Sequence, residues 1–284
     1  MNQRVHSLDQ YTILEKVGDG GMAEVFLASF PVASGFSQKV AIKKLHPHIA
    51  RNPNNVKMFI HEARLIGTLK HPNLVRIFDF GQTHDSYYLV MEYVNGLSLT
   101  RLLRQSQQAG ILLPVPIGVF IVCEVLEALF YVHNAKSEQG TPLNLVHRDL
   151  SPDNILIDNE GGVKLTDFGI AKSSIQEHYT QTGMTKGKIL YMSPEQCYGR
   201  QLDHLSDIFA MGNLLFETTT LRRLFAGKDM ASIAMAICHE PLPHPSSVRR
   251  HYPPELKQIL FKALMRRKEE RFQSAKEMAD GLKQ

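Results

Sequence analysis

The stretch Gly18-Asp19-Gly20-Gly21-Met22-Ala23 removes side chains where backbone N–H groups could approach an anion closely. As G-x-G-x-x-A it also fits a dinucleotide fingerprint, which requires a helix next and an acidic residue about 20 positions on. The next residues, Glu24-Val25-Phe26-Leu27-Ala28, read instead as an alternating strand, and the later position falls near Val40-Ala41-Ile42-Lys43. A strand–loop–strand flap over phosphates fits better, with an ordinary glycine-rich hairpin as the plain alternative. Lys43 ends an apolar strand, where an ammonium group needs a fixed anion. Glu62, on a helical run, is a partner that would hold it toward phosphates; two unrelated surface charges are the plain alternative.

Further along come His147-Arg148-Asp149-Leu150-Ser151-Pro152-Asp153-Asn154, then Asp167-Phe168-Gly169, then Ser193-Pro194-Glu195. With these motifs, in this order, the sequence resembles the eukaryotic-like protein kinase family, on its bacterial Ser/Thr branch. The likeness runs from residue 17 to 271, and chance agreement across five separated motifs is negligible. Gly20–Ala23, the Thr-Gln-Thr at 180–182 and Tyr191–Gln196 look like that branch. Gly35-Phe36 and the long loop before Val146 resemble a subgroup known from social soil bacteria.

The resemblance implies a two-lobed α+β fold with a strand-rich N-lobe and a helical C-lobe. It implies Mg²⁺-dependent transfer of the ATP γ-phosphate to Ser or Thr hydroxyls of proteins, with autophosphorylation in the activation segment. Lys43, held by Glu62, would contact the α- and β-phosphates, and Asp149 would accept the substrate hydroxyl proton. Asn154 and Asp167 would offer Mg²⁺ the oxygen ligands it prefers. Gly18 through Ala23 would cover the phosphates. Val17, Val25, Ala41 and Leu156 would sandwich adenine, each with core packing as its plain alternative. Met91, Glu92, Val94 and Ser98 would line the hinge. Glu195 and Arg271 match an ion pair bracing the activation segment, and Asp207 matches the aspartate tying the catalytic loop to a central helix. Ile66, Ile77, His147 and Phe168 match a stacked spine, so His147 is read as a packing and hydrogen-bonding residue. Thr180 and Thr182, then Thr185, are the expected phosphosites, with Arg148 as the phosphothreonine partner and Ser173 and Ser174 ranked last.

Three departures stand out. Ala23 replaces the third glycine. Ser151 stands where the family carries a lysine that contacts the γ-phosphate, and Lys188 stands where it carries a threonine. The two exchanged residues suggest that Lys188 supplies, from another stretch of chain, the cation that Ser151 lacks. A pseudokinase scaffold is the rival of another class, but its usual sign is loss of Lys43, Asp149 or Asp167, and all are present. Small-molecule kinases lack the segment ending in Ser-Pro-Glu. The tyrosine-kinase Ala-Ala-Arg after the catalytic leucine is absent.

The elements that must position these residues are legible as periodicities. Tyr11–Val17, Glu24–Ala28, Lys39–Lys44, Ile77–Phe80 and Tyr87–Glu92 read as strands, with a turn at Gly96. A helix spans Asn55–Leu69, another Ile117–His133, and short strands lie at Ile155–Ile157 and Val163–Leu165. The last hundred residues are mostly helical in period. The expected division is a 1–10 extension and an 11–284 kinase domain, with N-lobe 11–91, hinge 92–96 and C-lobe 97–284.

Composition narrows the alternatives. With 284 residues, 43% hydrophobic and 21% charged, the chain suits a globular enzyme and not a disordered or coiled-coil protein. A formal charge of +4 is too small to mark a nucleic-acid binder. Three cysteines without CxxC spacing fit neither a disulfide scaffold nor a thiolate zinc site, although Cys197 beside the substrate region is a candidate for redox sensitivity. The N-terminus has no signal-peptide core, and no 18-residue apolar stretch is expected to span a membrane. The cytoplasm is the expected location, with protein substrates and a transient homodimer for trans-autophosphorylation as expected partners. His46-Pro47-His48 reads as a solvated loop and residues 266–271 as a mixed-sign solvated face.

Overall fold

A computed structural model of the chain describes residues 8–32, 36–168 and 186–284; the side chains of Asp9, Glu62 and Lys186 lie outside it. The described residues divide into two units, one of residues 8–70 and 74–95, the other of 71–73, 96–168 and 186–284.

The first unit is a five-stranded antiparallel sheet of β1 (Thr12–Asp19), β2 (Ala23–Pro31), β3 (Ser37–Leu45), β4 (Ile77–Gln82) and β5 (Tyr87–Glu92). Its spatial order is β1-β2-β3-β5-β4. Side chains alternate across a strand, so register decides the faces. The pairs Val25↔Lys43, Leu27↔Ala41, Lys43↔Leu89 and Ala41↔Met91 put these six residues on one face. The other face carries the buried cluster Ala28, Val40, Ile42, Tyr88 and Val90, with Leu8 and Tyr11 packed against it. Two helices, α1 (Pro47–Ala50) and α2 (Pro53–Gly67), complete the unit. Asn52 caps α2 by accepting the Asn54 N–H at 2.9 Å, Pro53 opens it, and the helix packs on β4 through Phe59 and Phe80.

The second unit holds a small sheet of β6 (Gly96–Ser98), β7 (Ile155–Asp158) and β8 (Val163–Leu165). A Cβ at Gly96 would lie 1.9 Å from the Ile157 carbonyl oxygen, so only glycine lets β6 pair this closely with β7. The helices of this unit are α3 (Leu99–Ala109), α4 (Val115–His133), α5 (Lys186–Ile189), α6 (Pro194–Cys197), α7 (His204–Thr220), α8 (Met230–His239), α9 (Pro254–Ala263) and α10 (Ala275–Leu282). The core lies along α7, nearly all of whose residues are buried, packed by α4 and α9. Its buried threonines are satisfied locally, Thr219 and Thr220 donating to the Leu215 and Phe216 carbonyls.

One expectation, that no 18-residue stretch is apolar enough for a span, does not hold. Helix α4 is long and apolar enough to cross a membrane by length and composition, the only such helix among the described residues. Half of that window is buried, and the helix packs on α7, α10 and β8. Its two carboxylates are partnered, Glu124 with the Asn73 amide at 2.7 Å and Glu127 with Lys283 at 2.5 Å. It packs as a core helix along its buried face, while Ile117 and Phe120 near its start stay 46% and 48% exposed.

Candidate active site

In the first unit the glycine-rich stretch is the tip of the β1–β2 hairpin. Gly18 pairs with Val25, and a register shift falls between Lys16 and Gly18, at Val17, which is 49% exposed. Gly20 N–H donates to the Ala23 carbonyl at 2.9 Å, closing the turn. Val25, Ala41, Met91 and Lys43 share one sheet face, so strand alternation alone aligns the expected adenine-contacting residues with the lysine. Glu92 N–H donates to the Arg76 carbonyl at 2.8 Å, which fixes the backbone leading to Val94. The side chain of Glu62 lies outside the described residues.

In the second unit the loop 147–154, expected to be catalytic, is held by a buried aspartate. Asp207 accepts the backbone N–H groups of His147 and Arg148 at 2.9 and 3.0 Å, and His133 Nε2 lies 2.8 Å from its Oδ2. Burial alone would raise the Asp207 pKa. The His133 hydrogen bond, with the nearby His133 and His147 rings, outweighs it and keeps the carboxylate ionised. Arg148 and Asp167 take positive φ, 66° and 56°, strained for non-glycine residues, and the Asp207 carboxylate holds the first through its N–H. His147 is fully buried. Its Nδ1 accepts the Asp149 N–H at 3.3 Å and its Nε2–H donates to the Thr166 carbonyl at 3.0 Å. Burial pushes its pKa down, and its ring centroid lies 4.6 Å from that of Phe168, so it acts as a neutral bracket.

Around Asp149 the side chains converge. Lys188 Nζ is 3.0 Å from Asp149 Oδ2, with the lysine 44% and the aspartate 13% exposed. Asn154 Nδ2 donates to the Asp149 carbonyl at 2.7 Å and reaches Oδ2 at 3.4 Å. Its amide nitrogen is thereby committed, and the oxygen it has left to offer is a hard donor of the kind Mg²⁺ takes. Ser151, 4% exposed, opens the short 3₁₀ turn Pro152–Asn154. Leu156 lies on β7 opposite Ser98 and Lys164. The Ser98 hydroxyl caps α3 by accepting the Arg101 N–H at 3.4 Å, a structural use. The buried Arg148 Nε has no hydrogen-bond partner among the described residues, and the side chain lines a cleft with Asp149, Lys188, Tyr191 and Gln196. Thr180, Thr182 and Thr185 lie outside the described residues, as do Ser173 and Ser174.

Behind the loop, Arg271 is 1% exposed and spends its N–H groups on five contacts. Two meet Glu195 at 2.8 and 2.9 Å, and the rest meet the carbonyls of Met265, Leu205 and Arg266. Ser206 adds a hydrogen bond to Glu195 at 2.7 Å. Burial raises the Glu195 pKa, but Arg271 and Ser206 outweigh it and hold the carboxyl at about 2.

Several contributors were not read from sequence. Gln196 Nε2 donates to the Arg148 carbonyl at 2.9 Å, while Ser193 and Gln196 form a capping box that starts α6; the S-x-x-Q spacing carried that signal. Tyr191 donates to Glu217 at 2.5 Å, and burial raises the pKa of both. The solvated reading of 266–271 fails at both ends: Arg271 is buried as described above, and the Arg266 guanidinium caps α8 by donating to the Ile237 and Glu240 carbonyls. His46 is likewise not a solvated loop residue; its side chain is 19% exposed and bonded to Gly20. Burial and the neighbouring Cys238 push the Cys197 thiol up to about 12, which argues against redox sensitivity through a reactive thiolate.

A strand-rich unit with a glycine-rich hairpin, and a helical unit holding an aspartate–asparagine loop, together define a phosphotransferase of the kinase type. The chain belongs to the protein kinase domain family, whose profile matches residues 11–281. It is 39% identical over 272 residues to tyrosine-protein kinase MasK of Myxococcus xanthus, covering 96% of this chain and 42% of that protein. It is 35% identical over 274 residues to serine/threonine-protein kinase PrkC of Bacillus subtilis, covering 96% and 40%. The chain thus spans about two fifths of the length of these curated relatives. Among solved structures, a point mutant of the PknI kinase domain of Mycobacterium tuberculosis superposes with a TM-score of 0.71 at 25% identity, covering 100% of this chain and 98% of that one.

Proposed function

We propose that the chain phosphorylates Ser and Thr hydroxyls of proteins with Mg-ATP, its own activation segment included. One observation carries this most: Asp149 is oriented by Asn154, charge-balanced by Lys188, and set on a loop whose backbone Asp207 holds. Such a carboxylate can take a hydroxyl proton as the oxygen attacks phosphorus, and positioning supplies most of the rest. Lys188 would be catalytic, its ammonium orienting Asp149 and neutralising the transferred phosphoryl group in place of a lysine at Ser151. Asn154 and Asp167 would hold Mg²⁺, whose chemistry is charge neutralisation on the phosphate oxygens. Lys43 and the Gly18–Ala23 hairpin would hold the phosphates, and Val17, Val25, Ala41 and Leu156 the adenine. Arg148, whose buried Nε has no hydrogen-bond partner among the described residues, would pair with a phosphothreonine in the activation segment. The cytoplasm, where ATP is supplied, would be the compartment of action, and phosphorylation in trans would require a transient homodimer.

The names of relatives divide between tyrosine and serine/threonine kinases, so the acceptor is tested directly. Incubation of the purified chain with Mg-ATP, followed by mass spectrometry and phosphoamino-acid analysis, should give phosphoserine or phosphothreonine. Asp149→Asn should lose at least about 10²-fold in initial rate while keeping its melting temperature. Equal incorporation by both proteins, contaminating kinases excluded, overturns the mechanism. Phosphotyrosine alone overturns the acceptor class.

A further inference from the structure

His46, just past the end of β3, fastens the tip of the glycine-rich hairpin. Its backbone N–H donates to the Met22 carbonyl at 2.9 Å, extending the β2–β3 ladder beyond the Ala23↔Leu45 pair. Its side-chain Nε2 lies 2.8 Å from the Gly20 carbonyl oxygen, so Nε2–H donates there, and 3.4 Å from Asp19 Oδ1. The ring stacks on His48 at 5.4 Å, and the side chain is 19% exposed. At the root of the hairpin, Lys16 bonds Asp19 at 2.5 Å and Glu24 at 2.7 Å. Asp19, Glu24 and His46 could in principle gather round a metal. The Lys16 ammonium already serves both carboxylates, and the His46 Nε2 proton is committed to a carbonyl, so the cluster is a latch and not a cation site.

Among the described residues the tip has almost no packing of its own. A Cβ at Gly21 would meet nothing within 4 Å, and one at Gly20 would meet only the Ala23 oxygen at 3.5 Å. Its geometry therefore rests on three hydrogen bonds: Gly20 N–H to Ala23, His46 N–H to Met22, and His46 Nε2–H to Gly20. The last one has a specific consequence. A trans peptide unit is planar, with its C=O and N–H pointing opposite ways, so holding the Gly20 carbonyl also fixes the direction of Gly21 N–H. Two adjacent glycines would otherwise flip this plane at little steric cost. A flipped unit presents a carbonyl oxygen, which repels an anion, where an N–H should be.

We propose that His46 is a positioning residue for nucleotide binding, latching the Gly20–Gly21 peptide so that its N–H stays available to phosphate oxygens. This rests on the kinase reading above, and the experiment separates the two. The full chain is compared with His46→Ala and with His46→Gln, whose amide can still donate to Gly20. Amide exchange at Gly20, measured without nucleotide, should quicken several-fold in His46→Ala. The KM for Mg-ATP should rise about 3–10-fold, the worth of one net hydrogen bond, with kcat changed less than about twofold. His46→Gln should restore both. If His46→Ala does not fold, His46→Leu, which keeps bulk but no donor, carries the same expectation. Unchanged exchange at Gly20 overturns the latch even if the parent shows no kinase activity, a result that would separately refute the proposed function. A KM rise that His46→Gln fails to restore also overturns it, because packing and not the hydrogen bond would then be responsible.

Discussion

Replacing Lys188 by threonine removes an ammonium 3.0 Å from Asp149 Oδ2. Two unit charges at that distance attract by about 5.5 kcal/mol at an effective dielectric near 20, and by about 1.4 kcal/mol in water. Lys188 is 44% exposed, which pulls the figure toward the lower value. Under the proposed role, charge developing on a transferred phosphoryl group would pull the other way, because the cation would then serve two anions. A barrier increase of about 1.5–3 kcal/mol follows, or roughly a 10- to 150-fold loss in kcat. Ser151→Lys in the parent should do harm, since it places a second ammonium at a 4% exposed position. In the Lys188→Thr background the same change should recover part of the rate. The assay is the initial rate of phosphorylation of a generic protein substrate across the four members of the cycle, with melting temperatures as the folding control. Losses that simply add would refute the exchange, because independent sites give additive free energies. So would a Lys188→Thr enzyme at parental kcat.

Glu195 titrates at about 2 when folded against 4.5 as the reference, so its ion pair adds up to ~3 kcal/mol of stability. That contribution is complete above about pH 5 and disappears as the pH falls through about 2; urea midpoints between about pH 7 and 3 should fall less in Glu195→Gln than in the parent. Arg271→Ala should cost about 3–5 kcal/mol near neutral pH, read in the same unfolding assay, because it strands a buried carboxylate. Thr180→Ala/Thr182→Ala should lower activity to the level of Arg148→Ala; full activity in the threonine variant would remove the phosphothreonine reading. Burial pushes Cys123 and Cys197 up to about 11 and 12, so iodoacetamide at about pH 7.5 should label both far more slowly in the native chain than in urea, as mass spectrometry would show.

What was legible in the sequence was whatever has a period or a motif. The alternation in Val40–Lys43 gave the strand, and register then placed Val25, Ala41 and Met91 beside Lys43. The apolar period of 117–133 gave α4 to within two residues of its start. Helix α3 shows only a short apolar period, because Thr-Arg and Gln-Gln dominate it and only Leu99 and Leu103 are buried; Ser98 as cap and Gly110 at φ 68° are its readable ends. The sequence shows only a turn where β6 forms, because three residues cannot show alternation and its pairing depends on a strand about sixty residues away. Likewise His46, His133 and Arg266 act on carbonyls or carboxylates far along the chain, and nothing in their neighbours marks those partners. Long-range single contacts leave no local trace, whereas repeated ones do.

The enclosure of α4 sets a problem of timing during synthesis. Residues 115–133 leave the ribosome as an apolar segment, but the helix that covers one side of it begins at His204 and another at Ala275. At about 5–20 residues per second, α7 starts to appear roughly 4–14 s after α4 is complete, and α10 roughly 7–28 s after. Lys283, the partner of Glu127, follows later still. Throughout that interval the segment offers a nascent-chain chaperone, or a membrane-insertion machinery, the same surface that the finished domain hides. The fold thus asks this apolar helix to wait for partners encoded well downstream of it, and the yield of the domain in a cell depends on what holds that helix meanwhile.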